Sequence, residues 1–174
     1  MTTGRRALEL DPLDVYARLF LSKYLLAKSD YDGARAENQR LLANNPKSWG
    51  FLLQACKIDL LNGRAADALA ISQQIPIEGY RLAVEAMARH PLGQVEESRR
   101  LTDQLISAHG SYQPYLIGEV LAYIGEPDQA LTWLHRAYEM RDDTMEEVKY
   151  ERLLTPLRTH PRFKALLREM NLPE

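Results

Sequence analysis

The sequence predicts an all-α fold: a right-handed superhelical solenoid of antiparallel helix pairs, about four units long, with a C-terminal capping helix. The first reason is a glycine turn between two helical stretches, which is clearest at residues 61–69, LNGRAADAL. Gly63 can adopt the positive φ that ends a helix. Altered forms of this turn occur at near-constant spacing, around Gly33, Gly93 and Gly125.

The spacing of landmark residues between these turns is the second reason. Pro12 and Pro46 lie 34 residues apart, and so do Ala34 and Ala68. The interval from Ala68 to the equivalent Ser98 is shorter, at 30 residues. A 34-residue helix–turn–helix period is the tetratricopeptide length. The chain therefore resembles the tetratricopeptide repeat family over nearly its whole length, and the resemblance implies a protein–protein interaction module.

This register divides the chain into three segments. We expect residues 1–12 to be the tail of a truncated preceding repeat and residues 13–140 to form four helix pairs. Residues 141–174 depart from the repeat pattern, and we expect them to cap the array, because a solenoid needs an end unit with a polar outer face.

Apolar residues at helical spacing then place the helices of each pair. The first pair spans about 13–28 and 31–43, and the second spans about 48–74. In the third pair, about 78–109, His90-Pro91 ends the first helix early. The fourth pair opens at Tyr112, and Pro127 suits the first turn of its second helix.

The C-terminal segment carries its own signals. Residues 144–147, TMEE, form a capping-box pattern that predicts the start of a helix at Thr144. Residues 153–158 should break that helix, and a final short helix should occupy about 160–170. The stretch from Leu154 to Leu172 resembles the C-terminal end of bacterial multidomain signalling proteins, whose tetratricopeptide arrays follow a cyclase, winged-helix or kinase domain. That resemblance implies a signalling or transcription-regulatory context.

Composition limits the classes of partner. The net charge is −2 and the isoelectric point is near 6.1, so the chain has no excess of positive charge that would attract nucleic acid or an anionic membrane. No apolar run approaches the ~18 residues of a membrane span, and no signal-peptide pattern opens the chain. The single cysteine, Cys56, lies in an apolar helical stretch and should be a small buried side chain. We expect a cytoplasmic protein.

The sequence offers no residues for catalysis, metal binding or cofactor binding. The four histidines never fall at i, i+4, and neither HExxH nor CxxC occurs. A glycine-rich phosphate loop and a GxSxG motif are also missing. We therefore expect no enzyme activity, no metal and no cofactor.

A binding surface remains as the candidate site. In the tetratricopeptide family the first helix of each pair lines a concave groove, and tyrosine suits such a groove because it offers contact area at low entropic cost. The alternative is that these tyrosines pack between adjacent helices. From the positions that the family register assigns to the groove, nine residues form the candidate site: Tyr16, Leu19, Lys23, Lys57, Tyr80, Tyr112, Tyr115, Glu119 and Tyr123.

The chemistry of these positions restricts the partner. Leu19 stands where the chaperone-binding members of the family use a lysine to hold a C-terminal carboxylate, so that clamp is not expected. Lys23 and Lys57 would favour an acidic segment. The partner would be a peptide, another protein domain or a second copy in a homodimer. A rival function is a sensing domain that holds a small molecule among Tyr80, Tyr112, Tyr115 and Tyr123.

Overall fold

A computed structural model describes residues 2–173, with side chains described from Arg6 onward. Every regular element in this range is a helix. The chain divides into two compact units, one up to Ile77 and the other from Glu78 onward. None of the described helices is both long enough and apolar enough to cross a membrane.

The first unit contains five helices joined by short turns. Aspartate side chains begin two of them: Asp14 accepts a hydrogen bond from the Ala17 amide, and Asp30 accepts one from the Gly33 amide. The helices are α1 (Thr2–Leu10), α2 (Val15–Ala27), α3 (Tyr31–Asn44), α4 (Trp49–Leu61) and α5 (Ala65–Ser72).

The second unit contains two further helix pairs and an irregular C-terminal segment. Its α-helices are α6 (Glu78–Arg89), α7 (Val95–His109), α8 (Pro114–Tyr123), α9 (Pro127–Glu139) and α10 (Pro161–Glu169). Between α9 and α10 lie two 3₁₀ helices, η1 (Asp143–Glu147) and η2 (Arg152–Leu157). Here η2 packs against α8, and α10 packs against α9.

Small buried residues let the two helices of each pair approach closely. In each helix pair, one small residue on the first helix faces one on the second, and we call the two residues a small pair. In three of the four small pairs, the side chain of one residue donates a hydrogen bond to the backbone carbonyl of the other, over 2.7–3.5 Å. These small pairs are Ser22–Ala34, Cys56–Ala68, Ala86–Ser98 and Gly118–Ala130. Cys56 is thus a buried small residue, as predicted, and burial raises the pKa of its thiol to about 12.

Three of the four predicted glycine turns are confirmed. Gly63, Gly93 and Gly125 all have positive φ, between 71° and 87°. The prediction is wrong for Gly33, which lies inside α3, and Ser29 adopts the positive φ instead. The physical reason is the cap: the Asp30 carboxylate lies 2.6 Å from the position that a Cβ at residue 33 would occupy. Gly33 makes room for this cap rather than for a turn.

In place of the helix predicted to start at Thr144, the short 3₁₀ helix η1 begins one residue earlier, at Asp143. Arg141 takes a positive φ of 55°, and Asp142 rather than Thr144 caps the element that follows. That element, η1, ends after five residues. The predicted break at residues 153–158 is instead η2, with Pro156 inside it. Arg158 supports this segment by donating hydrogen bonds to the backbone carbonyls of Lys149 and Glu151.

Candidate interaction surface

The first unit presents part of the predicted groove on α2. Tyr16, Leu19 and Lys23 are spaced at i, i+3 and i+7, so they share one face of this helix. Tyr16 and Lys23 are exposed, whereas Leu19 is half-buried. Lys57 is half-buried on α4, at the repeat position that Lys23 holds on α2. The α2 face thus carries an aromatic ring and one cationic side chain, and α4 carries a second cationic side chain at the equivalent repeat position.

In the second unit, Tyr112 is the most accessible of the predicted groove residues. It lies in the turn before α8, with 58% of its surface exposed. The edge of its ring meets His109 at a centroid distance of 5.3 Å, and its hydroxyl forms a hydrogen bond with His109 Nδ1. His109 is itself buried, with Nε2 3.9 Å from the Glu78 carboxylate. Tyr112 is therefore an exposed ring held in place from one side.

Tyr80 follows a backbone segment that contacts the turn carrying Tyr112. A Cβ at Gly79 would overlap Oε1 of Gln113, so a larger residue here would have to displace the Gln113 amide. This contact joins the start of α6 to the start of α8. Tyr80 and Tyr123, at the far end of α8, are both half-buried, and burial raises the pKa of Tyr123.

The structure places Tyr115 and Glu119 in the interior of the second unit. They lie on α8, the helix against which η2 packs, and Glu119 is only 1% exposed. Burial is the main cause of a raised pKa for the Tyr115 hydroxyl, and Glu119 and Glu151 raise it further. These two side chains pack inside the unit, whereas Tyr112 reaches solvent.

The buried Tyr115 hydroxyl allows a direct test of its role. It has no hydrogen-bond partner among the described residues. Because a buried hydroxyl without a partner costs about 1–3 kcal/mol, we expect Tyr115→Phe to leave the free energy of unfolding unchanged or to raise it by about 1 kcal/mol. Urea unfolding followed by circular dichroism measures this change.

Tyr112→Phe is the matched control, because it removes a hydroxyl that is hydrogen-bonded to His109. That substitution should lower the free energy of unfolding by about 1 kcal/mol. A loss of stability for Tyr115→Phe as large as for Tyr112→Phe would contradict the expectation.

A cleft in the second unit does not match the small-molecule alternative. Its volume is about 190 Å³, below the roughly 300 Å³ at which ligand pockets begin. Charged and polar side chains line much of it, including Arg99, Asp103 and Glu126. None of the four tyrosines proposed for a sensing site lines this cleft. In the part of the chain that the structure describes, no three histidine, cysteine or acidic residues are grouped so as to hold a metal ion.

The sequence analysis missed two exposed aromatic residues on α2. Phe20 and Tyr24 lie beside Tyr16 along the helix, and both side chains are exposed. The family register did not select them, because they lie at positions 6 and 10 of the first helix and the groove was mapped from positions 2, 5, 9, 12 and 13. At the equivalent positions the following unit has Gln54 and Ile58, which are not aromatic. This difference between the repeats was the signal that could have identified Phe20 and Tyr24.

Comparison with known proteins supports the fold. No protein-family model and no curated protein matches the chain. The matching solved structures include a thermophilic tetratricopeptide protein from Thermus thermophilus, which is 19% identical, with 88% of each chain covered and a TM-score of 0.59. At this identity the likeness concerns the fold alone. The chain has the all-α helical-repeat fold of the tetratricopeptide proteins.

Proposed function

We propose that this chain is a protein–protein interaction module that binds a partner segment through the first helices of its pairs. The exposed ring of Tyr112 is the observation that carries the proposal. Its hydrogen bond to the buried His109 limits its rotation, so a partner would lose little side-chain entropy by packing on it. Rigid aromatic rings of this kind are the typical anchors of protein interfaces.

The charged residues indicate the chemistry of the partner. On the first unit, Lys23 and Lys57 repeat the same charge at equivalent positions of α2 and α4. An extended segment with acidic residues would complement these lysines, and an apolar residue of a partner would pack on Tyr16 or Tyr112.

We infer the cellular context from the C-terminal end. The residues that resemble bacterial signalling proteins, 154–172, include most of η2 and all of α10. A cytoplasmic regulatory region of a signalling or transcription-regulatory protein fits this resemblance. The binding partner would then be a peptide, a domain of another protein or a second copy of the chain.

Selection of peptides from a displayed library on the full chain tests the proposal. We expect acidic peptides with an aromatic or aliphatic residue, and we expect Tyr112→Ala to weaken their binding at least tenfold, the effect of losing a central aromatic anchor. Tyr150→Ala is the matched control, since Tyr150 is also an exposed ring but is not among the predicted groove residues. Failure to select any peptide, or selected peptides that bind both variants like the wild type, would contradict the proposed function.

A further inference from the structure

An apolar stripe runs along the exposed face of α2. It consists of Tyr16, Phe20 and Tyr24, whose spacing of four residues puts them on one side of the helix, together with Leu13 in the turn before α2. Phe20 and Tyr24 are 66% and 38% exposed, and Leu13 and Tyr16 are more exposed still. Continuous apolar patches of this kind commonly mark interaction sites on soluble proteins.

The equivalent residues of α4 show how the corresponding helix face is used in the next repeat of the first unit. Counted from the unit starts Val15 and Trp49, Phe20 corresponds to Gln54 and Tyr24 corresponds to Ile58. Gln54 is 8% exposed and Ile58 is fully buried. Ile58 belongs to a core cluster that includes residues of α2 and α3. This face of α4 is therefore a helix-packing face.

The second unit repeats the observation. On α8 the equivalent residues, counted from Ser111, are Leu116 and Val120, and both are buried. Helix α6 packs against α8 in this unit. The position that Phe20 and Tyr24 hold on α2 is thus buried in both comparisons. On α2 it carries large aromatic side chains and stays open.

We propose that the α2 stripe is the surface through which two copies of this chain associate, with their α2 helices antiparallel across a two-fold axis at Phe20. The stripe is symmetric about this residue, because Tyr16 and Tyr24 lie four positions before and after it. In an antiparallel pair Phe20 meets its counterpart, and Tyr16 meets Tyr24 of the partner subunit. A two-fold contact of one surface with itself is the commonest arrangement of homodimers.

The charges at the two ends of α2 favour the antiparallel direction. Asp11 and Asp14 lie at its N-terminal end, and Lys28 lies at its C-terminal end, with Nζ 5.9 Å from the centre of the Tyr24 ring. An antiparallel pair brings each acidic end close to a basic end, whereas a parallel pair would oppose like charges. The dipoles of two antiparallel helices also point in opposite directions, which places helix ends of opposite partial charge next to each other.

The area of the stripe sets the expected strength. An aromatic side chain buries about 150–250 Å² when it is fully covered. Covering the partly exposed stripe on both copies would remove on the order of 1,000 Å² from water, which is at the lower end of the range for specific interfaces. We therefore expect a dissociation constant of about 1–100 μM.

Sedimentation equilibrium of the full chain over about 1–300 μM tests the proposal, because this range brackets the expected dissociation constant. The wild type should pass from monomer to dimer, and Phe20→Glu should remain monomeric because two like charges would meet at the two-fold axis. Tyr150→Glu, a substitution at another exposed aromatic residue, should dimerise like the wild type. An equimolar mixture of Phe20→Glu and Phe20→Lys chains should recover a heterodimer, since opposite charges then meet.

The outcomes separate this proposal from the proposed function. A wild type that stays monomeric throughout the range, or a Phe20→Glu chain that dimerises normally, would overturn the assignment of the stripe. A mixture that fails to form the heterodimer would overturn the placement of Phe20 at the two-fold axis. Tyr112→Ala should leave dimerisation unchanged, and Phe20→Glu should leave peptide binding at Tyr112 unchanged.

Discussion

Gly118→Val should lower the free energy of unfolding by about 3 kcal/mol, the cost of forcing extra volume into a packed core. Gly118 lies on α8 at the small position of its helix pair, directly across from α9. A Cβ at this residue would lie 2.8 Å from Cγ and Cδ2 of Leu134 and 3.4 Å from the backbone carbonyl oxygen of Ala130. Leu134 is fully buried, so it cannot move aside without opening a gap elsewhere. The two helices must therefore separate.

Gly50→Ala is the matched control for this substitution. Gly50 also lies in a helix, α4, but a Cβ there would meet no atom within 4 Å. Because alanine favours the helix over glycine, this variant should gain up to about 0.5 kcal/mol. Urea unfolding of both variants, followed by circular dichroism, checks the pair of expectations. A Gly118→Val chain as stable as the wild type would show that α8 and α9 are not held at the close distance on which the repeat depends.

The sequence was sufficient to predict the features of the fold that depend on local signals. Glycines such as Gly63 end helices through their own backbone freedom, and the spacing of Ala34 and Ala68 reports a contact that recurs within each pair. Such signals act over a few residues or recur at a fixed interval. For this reason the helices of the four pairs lie close to their predicted positions.

The features that the sequence did not reveal depend on contacts between distant residues. The capping-box pattern at Thr144 is a local helix signal, but the chain reverses at Arg141 and then packs η2 on α8. The buried Asp59 is a second example. Its carboxylate pairs with the Arg35 guanidinium over 3.1 Å, although burial still raises the pKa of Asp59. No local sequence pattern predicts that Arg35 and Asp59 form an ion pair.

The residues of the candidate surface also divide into those that local signals place correctly and those whose exposure depends on contacts with distant residues. The family register places a residue on a helix face, but it does not say what covers that face. In the fourth pair it grouped Tyr112 with Glu119, yet Tyr112 is exposed in the turn before α8 and Glu119 is buried on α8. On α2 it did not select Phe20, which is exposed. The groove assignment of the nine residues therefore stays a proposal, and binding measurements on single variants are its test.

The C-terminal segment should contribute to the stability of the second unit, and Phe163→Ala should lower the free energy of unfolding by about 3–5 kcal/mol, as for other fully buried phenylalanines. Phe163 is the largest of the fully buried side chains. It lies on α10, which packs against α9 with Leu166 and Leu167 also buried. Removing the ring would leave a cavity that this short helix has few other contacts to close.

Polar contacts hold α10 in place but cannot replace the ring. The Tyr138 hydroxyl donates a hydrogen bond to the Glu169 carbonyl, and Arg162 donates to the backbone and side chain of Asp128. These groups are exposed, so each contributes about 1 kcal/mol or less. The buried apolar residues of α10 must therefore supply most of the attachment. In Phe163→Ala we expect α10 to detach from α9 before the unit unfolds.

Hydrogen exchange together with urea unfolding distinguishes an attached cap from a loose tail. Tyr150→Ala, in the same segment but at an exposed ring, should change the free energy of unfolding by less than about 0.5 kcal/mol. In Phe163→Ala, the amides of α9 should lose protection along with those of α10, since the face they share becomes accessible to water. If α10 alone loses protection while the overall stability is unchanged, the segment is not part of the core of the second unit. The interior location of Tyr115 and Glu119 would then also have to be reconsidered, because η2 belongs to the same segment.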